Sequence, residues 1–399
     1  MVKPRGKCSH MIKNKWYEIE CAEDVLADIL SRLPVKWLLL CKSVCKLWNR
    51  VISSQLFIDF QLMQSRKCPC FIIYPYRDLH LQLYVMKATE LKTMFTSPFW
   101  ENDYNLCIIA SVDGLIFCVN HAVLGNTTDK DGNDLEIRIY NPATKNVLLL
   151  PRGSPSKKLP RIGVAFGPKI NEYKVFRFFC AKHNPPAEGK SRPNYYCEVY
   201  SSSTGSWRVI GHPPGFPMPA NQGPLLGSNH IFLNGKVHWF VASKEDRKVP
   251  GSILTVDVEE NFGKIDLPQK ITKCSYLVNL EGCLSLLVVY DESRMLDIWI
   301  LKDCHKLKWE KKCSVLSPFS ELEPISAVVA LKSEILFMTD FHYLLYNVED
   351  RIWRNLVNMP DPLEQRRHPA LFTYTESLLS TYGRRSDPEA GDTSNGSST

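Results

Sequence analysis

The hydrophobic positions of this chain change period once. Between residues 23 and 52, EDVLADILSRLPVKWLLLCKSVCKLWNRVI, apolar side chains recur at helical spacing. Val25, Leu26, Ile29, Leu30 and Leu33 fall at i, i+1, i+4, i+5 and i+8, which is one face of a helix. Pro34 has no amide hydrogen and disfavours helical geometry in the residue before it. The first helix therefore ends at Leu33 and a second begins at Pro34. Trp37, Leu38, Leu39, Leu40 and Cys41 make that second helix apolar almost all round, the pattern of a helix buried on more than one side. Val44, Leu47, Trp48, Val51 and Ile52 mark a third helix, with Lys42, Lys46 and Arg50 on its opposite side. Three helices of this size cannot enclose a core of their own, so the module must pack both on itself and on something else.

After residue 65 the period falls from 3.6 to 2, with short β-type runs separated by Gly, Pro, Asn and Asp. A two-part unit repeats. Its first part is a turn and an apolar strand, as in SVDGLIFCVN (111–120), FLNGKVHWFV (232–241) and NLEGCLSLLVVY (279–290). Its second part is a strand, a polar hairpin and an aromatic-bearing return strand, as in IRIYNPATKNVLLLP (137–151), CEVYSSSTGSWRVIG (197–211) and YLLYNVEDRIWRNL (343–356). Trp207, Trp309 and Trp353 hold the same place in their units. Repeating four-stranded sheets are what a β-propeller needs, because each blade hides a face against the next and closure protects the edges. The intervals between units are unequal, and the Pro-rich inserts 183–196 and 211–227 account for the longer ones. CFIIYPYRDLHLQLYVM (70–86) reads as a first-blade hairpin, and ALFTYTESL (370–378) as the strand that pairs beside it to close the ring.

Length and composition fit this division. At 399 residues the chain holds two unequal domains, and 44% hydrophobic with 23% charged residues is a soluble globular composition. The formal charge of +7 is spread along the sequence, a weak footprint for nucleic acid. Fourteen cysteines, many inside apolar runs such as LIFCVN and FRFFC, read as small buried hydrophobes of a reducing compartment. No pair has C-x-x-C spacing, so structural zinc is not expected, nor any other cofactor. The first residues lack the apolar run of a signal peptide, and LSLLVVY (284–290) is far too short to span a bilayer. These features place the chain in the cytoplasm or nucleus, away from membranes, where Asn126 of the sequon Asn126-Thr127-Thr128 stays an unmodified loop residue.

Candidate chemistry is thin. His183, His212, His230, His238, His342 and His368 are scattered, with no paired ligand spacing, no HExxH and no GxSxG, so the chain reads as non-catalytic. The basic side of the third helix could touch phosphates, but Asn49 is the main base-reading group beside it, and a solvated polar face is the better reading. A second alternative is a propeller that stacks a carbohydrate or small ligand on Trp100, Trp207, Trp239 or Trp299; blade tryptophans are more often core.

The helical module, EDVLADILSRLPVKWLLLCKSVCKLWNRVISS (23–54), resembles the F-box. IYNPATKNVLLLP, GVAFGPKINEYKVFRF and EVYSSSTGSWRVI resemble the F-box-associated, kelch-like domain of plant F-box proteins. The resemblance implies four segments: a flexible N-terminus (1–17), an F-box of three helices (18–62), an all-β, propeller-like F-box-associated domain built of kelch-like repeats (63–380) and a disordered tail (381–399). It implies a substrate-recognition subunit of a Skp-cullin-F-box ubiquitin ligase, docked on a Skp-type adaptor and through it on a cullin, with the β domain holding a target for ubiquitination. Ile29, Leu30, Leu33, Pro34, Leu38 and Trp48 would then fill the adaptor groove. Where the family has Leu-Pro before the first helix this chain has Cys21 and Ala22, which removes part of the usual adaptor contact.

Overall fold

The computed structural model describes residues 23–74, 81–87, 90–97, 106–120, 136–156, 160–167, 172–181, 195–215, 230–243, 250–269, 275–290, 293–303, 307–319, 325–339, 342–356 and 370–383. The N-terminal segment expected to be flexible, Cys21, Ala22 and most of the expected tail lie outside these residues.

Helices come first. α1 covers 23–31, and the chain turns over 32–34 into α2 (Val35–Cys41), with Pro34 at its N-terminal boundary as its fixed φ requires. α3 (Lys46–Ser53) and α4 (Gln55–Ser65) meet at Ser54, whose hydroxyl caps α4 by accepting from the Phe57 amide at 3.2 Å. The described residues thus hold four helices where periodicity shows three. QLFIDFQLMQS escapes a period reading because its apolar residues run round the helix, with Phe57 and Leu62 inward and Leu56 and Met63 outward.

The rest is β-structure. Blade 1 contains β1 (Cys70–Tyr74), β2 (Leu81–Lys87) and β3 (Glu90–Ser97). Blade 2 holds β4 (Leu106–Val112), β5 (Leu115–Asn120), β6 (Ile137–Asn141) and β7 (Asn146–Leu149). Blade 3 holds β8 (Arg161–Phe166), β9 (Tyr173–Cys180), β10 (Tyr195–Ser201) and β11 (Ser206–Gly211). Blade 4 holds β12 (His230–Leu233), β13 (Lys236–Ala242), β14 (Pro250–Asp257) and β15 (Phe262–Asp266). Blade 5 holds β16 (Ser275–Leu280), β17 (Cys283–Tyr290), β18 (Met295–Asp303) and β19 (Lys308–Leu316). Blade 6 holds β20 (Ile325–Leu331), β21 (Glu334–Thr339), β22 (Tyr343–Asn347) and β23 (Ile352–Asn355). The last strand, β24 (Ala370–Tyr374), returns to pair antiparallel with β1, Cys70 opposite Tyr374, and completes blade 1 as its first strand. Every sheet among the described residues has four antiparallel strands, and blades 2 to 6 are meanders in chain order.

The first strands of the blades touch in cyclic order, β24 to β4, β8, β12, β16, β20 and back to β24, which is a closed six-bladed propeller. The core is correspondingly divided, with each seam between neighbouring blades filled by its own apolar cluster. Inner strands are buried on both faces and read as continuous apolar runs, whereas outermost strands such as β11, β19 and β23 alternate toward solvent. Lys308, Lys311, Lys312, Arg208 and Arg354 lie on these outer edges, where charge discourages pairing with another chain. The first hairpins of blades 2, 4 and 5 turn on Asp113-Gly114, Asn234-Gly235 and Glu281-Gly282, with both central residues at positive φ. That geometry matches the twist of the strands it joins.

The repeated tryptophans now have a role. Tyr140, Tyr200, Val256, Leu301 and Tyr346 all sit on the third strand of a blade, opposite Val147, Trp207, Phe262, Trp309 and Trp353 on the fourth. Each of the three indoles donates its Nε1–H to a backbone carbonyl at the end of the preceding blade's outer strand: Trp207 to Pro151 at 2.7 Å, Trp309 to Asp266 at 2.9 Å and Trp353 to Leu316 at 3.1 Å. One side chain thereby satisfies a carbonyl and latches blade to blade at the rim.

Candidate functional site

The helical module is fastened to one end of the propeller by the chain's last described residues. After β24 a strap, 375–383, crosses the turns of blades 2 and 3 beneath the helices. Ser377 donates from its hydroxyl to the Asp113 carbonyl at 2.6 Å, and Asn141 donates from Nδ2 to the carbonyls of Ser377 at 3.1 Å and Leu379 at 2.9 Å. Tyr173 donates its phenol to the Thr381 carbonyl at 2.6 Å, and burial pushes that phenol's pKa well up, keeping it neutral and a donor. Thr381, which the sequence assigns to a tail, is fully buried here. Gly114 is obligatory beneath the strap: it sits at φ +82°, and a Cβ there would lie 2.4 Å from the Ser377 hydroxyl and 2.7 Å from the Thr375 carbonyl.

The strap also completes the helices. Glu376 accepts the Val35 amide hydrogen at 2.9 Å, supplying from far along the chain the cap that α2 lacks locally. Leu378 enters the module's core beside Leu30, Val35, Leu38, Val51, Ile52 and Phe57, with Ala143 of blade 2 against its edge. Leu379 and Leu62 of α4 point the other way, into the seam between blades 2 and 3. Arg66, just after α4, forms a bidentate pair with Asp113 at 2.9 and 2.5 Å, which raises the guanidinium pKa.

The outer side of the module is left apolar. Val25 and Ile29 on α1 are 60% and 57% exposed, Trp37 and Leu40 on α2 are 53% and 55%, and Val44 and Leu47 at the start of α3 are 61% and 36%. Val25 and Ile29 lie four apart on α1 and Trp37 and Leu40 three apart on α2, so each of these pairs shares a helix face, while Val44 sits in the turn before α3 and Leu47 in its first turn. Beside the α2 and α3 residues the charge is positive, with Lys36 5.8 Å from the Trp37 ring centroid and Lys46 exposed, while Asp24 and Asp28 flank Val25 and Ile29 and Arg50 pairs with Glu23.

The six residues singled out in the sequence divide. Leu30 and Leu38 are turned inward, 1% and 0% exposed, in the core that Leu378 completes. Leu33 and Trp48 are half-buried at its margin, and only Ile29 and Pro34 are open to solvent. Val25, Trp37, Leu40, Val44 and Leu47 are exposed apolar residues outside those six. The available signal was that the apolar positions come as neighbours, Val25-Leu26 and Ile29-Leu30, so that one member faces in and the other out.

The alternative sites are also placed. Among the described residues no three His, Cys, Asp or Glu side chains group to hold a metal ion, and no helix is long and apolar enough to cross a membrane. His212 stacks near Tyr196 with centroids 4.2 Å apart, His230 and His238 are buried, and His183, His368 and Trp100 lie outside the described residues. Trp239 is buried, Trp299 packs on the seam between blades 4 and 5, and Trp207 is engaged with Pro151.

A short helical module with an uncovered apolar face, strapped to one end of a closed six-bladed propeller, defines an F-box protein of the propeller class. Comparison with known families agrees: residues 69–358 match the F-box associated beta propeller domain and residues 23–60 match the F-box-like domain. The chain belongs to the F-box associated β-propeller family. A putative F-box protein of Arabidopsis thaliana is 27% identical over 306 residues, covering 74% of this chain and 78% of the relative. A second F-box protein of the same plant is 29% identical over 320 residues, covering 73% and 72%. Among solved structures, an uncharacterized protein from Listeria monocytogenes aligns at TM-score 0.35 and 9% identity over 71% of this chain and 78% of that one, too distant to support any argument.

Proposed function

We propose that this protein is the substrate-recognition subunit of a Skp-cullin-F-box ubiquitin ligase, a non-catalytic receptor working in the cytoplasm or nucleus. The observation that carries the reading is the two-sided helical module, whose inner side is closed by the strap and propeller while its outer side keeps exposed apolar residues on α1, α2 and the start of α3. Such a face is costly for a protein without a partner and is the expected complement of a Skp-type adaptor groove. On this reading Trp37, Leu40, Val25, Ile29, Val44 and Leu47 make the contact, with Pro34 setting the angle between α1 and α2. Leu30, Leu33, Leu38 and Trp48 support that surface from beneath. Lys36 and Lys46 favour an adaptor whose rim is acidic. The propeller then holds the target, and the transfer chemistry belongs to enzymes brought by the cullin.

Burying a side chain such as Trp37 or Leu40 contributes about 1.5–3 kcal/mol, so losing one central anchor weakens binding roughly tenfold or more. The test is a pull-down and calorimetric titration against a panel of Skp-type adaptors with the intact chain and a Trp37→Glu, Leu40→Glu variant. The intact chain should bind at least one adaptor, and the variant should bind at least a hundredfold more weakly with an unchanged thermal midpoint. Absence of binding by the intact chain to the whole panel would refute the proposal.

A further inference from the structure

The two ends of the propeller are built differently. Because the inner strands run alike round the ring, every connection falls at one end or the other. At the end that carries the helices the turns are tight, as at 113–114, 142–145, 202–205, 234–235, 258–261, 281–282, 332–333 and 348–351. Arg66 on Asp113, Ala143 in the helical core and Tyr173 on Thr381 all belong to that end. The strands flanking the long stretches 121–136, 150–160, 181–194, 212–229 and 356–369 leave and return at the opposite end. On the rim of that far end, the inner strands of blades 3, 4 and 5 begin with Arg161, His230 and Ser275, where the other three begin with Leu106, Ile325 and Ala370.

The seam between blades 3 and 4 holds buried donors that the fold does not use. His230 is 8% exposed, and burial pushes its pKa down to about 3, so the ring is neutral. Its Nε2 accepts the Val164 amide hydrogen at 3.1 Å, which places the ring's own proton on Nδ1. Among the described residues that Nδ1–H meets no acceptor. Trp239 lies directly across the β12–β13 ladder, 3% exposed with its centroid 6.0 Å from that of His230, and its indole N–H meets no acceptor among them either. The place for this indole is made by Gly163, where a Cβ would stand 2.0 Å from Trp239 Cζ2, and by Phe178, edge-on at 5.1 Å. Arg161 precedes Gly163 by two residues on the same face of β8 and pairs across the ladder with Phe178, so its half-buried cation belongs to this seam. An unused buried donor is costly, and these two N–H groups, with Arg161 on the same face of β8, suit an anionic oxygen.

We propose that this seam, at the propeller end opposite the helices, binds a carboxylate-bearing segment of the target protein. The proposal rests on the receptor reading above, and its failure can be told apart from failure of that reading because adaptor binding is measured separately.

The test follows the Trp239 indole N–H and His230 ring signals of the full chain by NMR during titration with an end-blocked hexaglutamate peptide. Hexaglutamine, free glutarate and inorganic phosphate are the comparison probes. Hexaglutamate should shift both signals saturably, hexaglutamine should not, and Trp239→Phe and Arg161→Gln should each weaken binding at least tenfold while adaptor binding stays unchanged. Should Trp239→Phe fail to fold, Arg161→Gln carries the test. Glutarate binding as tightly as the peptide would overturn the target-segment source, and phosphate binding more tightly would overturn the carboxylate assignment. Signals unmoved by millimolar hexaglutamate would overturn the site altogether.

Discussion

His230 and His238 are buried neutral in blade 4, with pKa values lowered by burial to about 3 and about 4. An unfolded histidine titrates near pH 6.5, so above that pH the pair adds no pH dependence. Below it the unfolded chain takes up protons that the folded chain refuses, and stability falls progressively until the folded values are reached. Two pH units below 6.5 the loss is about 3 kcal/mol for each histidine, at roughly 1.4 kcal/mol per unit. Urea midpoints measured from pH 7.5 to 4.5 should therefore drop steeply below 6.5, and His238→Phe should remove one proton's worth of that slope. A flat profile would contradict the burial. The same scale shows why the exposed face was only half legible. Nothing within 23–52 states whether Leu30 or Ile29 faces inward, because the residue that decides it, Leu378, lies at the far end of the chain.

Among the elements, blades 2 to 6 were legible because their hairpins carry turn chemistry that only certain residues allow, as at Asp113-Gly114 and Asn234-Gly235. The recurring aromatic also marked a fixed place in the blade. α4 was not legible, since its apolar residues point both to the module and to blade 2 and so show no single face. The indole latches give the element-scale prediction. Trp353→Phe keeps the ring contact with Tyr346, 4.6 Å between centroids, but strands the Leu316 carbonyl. Each such change should cost about 0.5–1.5 kcal/mol, a net hydrogen bond. The three lie far apart, so a Trp207→Phe, Trp309→Phe, Trp353→Phe triple variant should show roughly their sum by chemical denaturation. A triple variant as stable as the parent would show that the latches hold nothing.

For the whole molecule, the governing contact is between the helices of 23–65 and residues 370–383. β24 closes the ring and the strap then closes the helices, so propeller and helical module share one boundary. A chain ending at Tyr374 should lose the Glu376 cap and both buried leucines, worth about 1.5–3 kcal/mol per side chain, and with them most of its adaptor affinity and several degrees of melting temperature. A chain ending at Gly383 should match the parent in both measurements. Equal behaviour of the two truncations would show the strap to be a passenger.

Synthesis delivers these parts in the opposite order to their need. The ribosome releases the helices before residues 370–383, so until those residues emerge Leu30, Val35 and Leu38 wait beside a ring that cannot close. A message cut short before these residues would yield an open ring with greasy helices, a form that chaperones and proteases catch, instead of a shorter receptor.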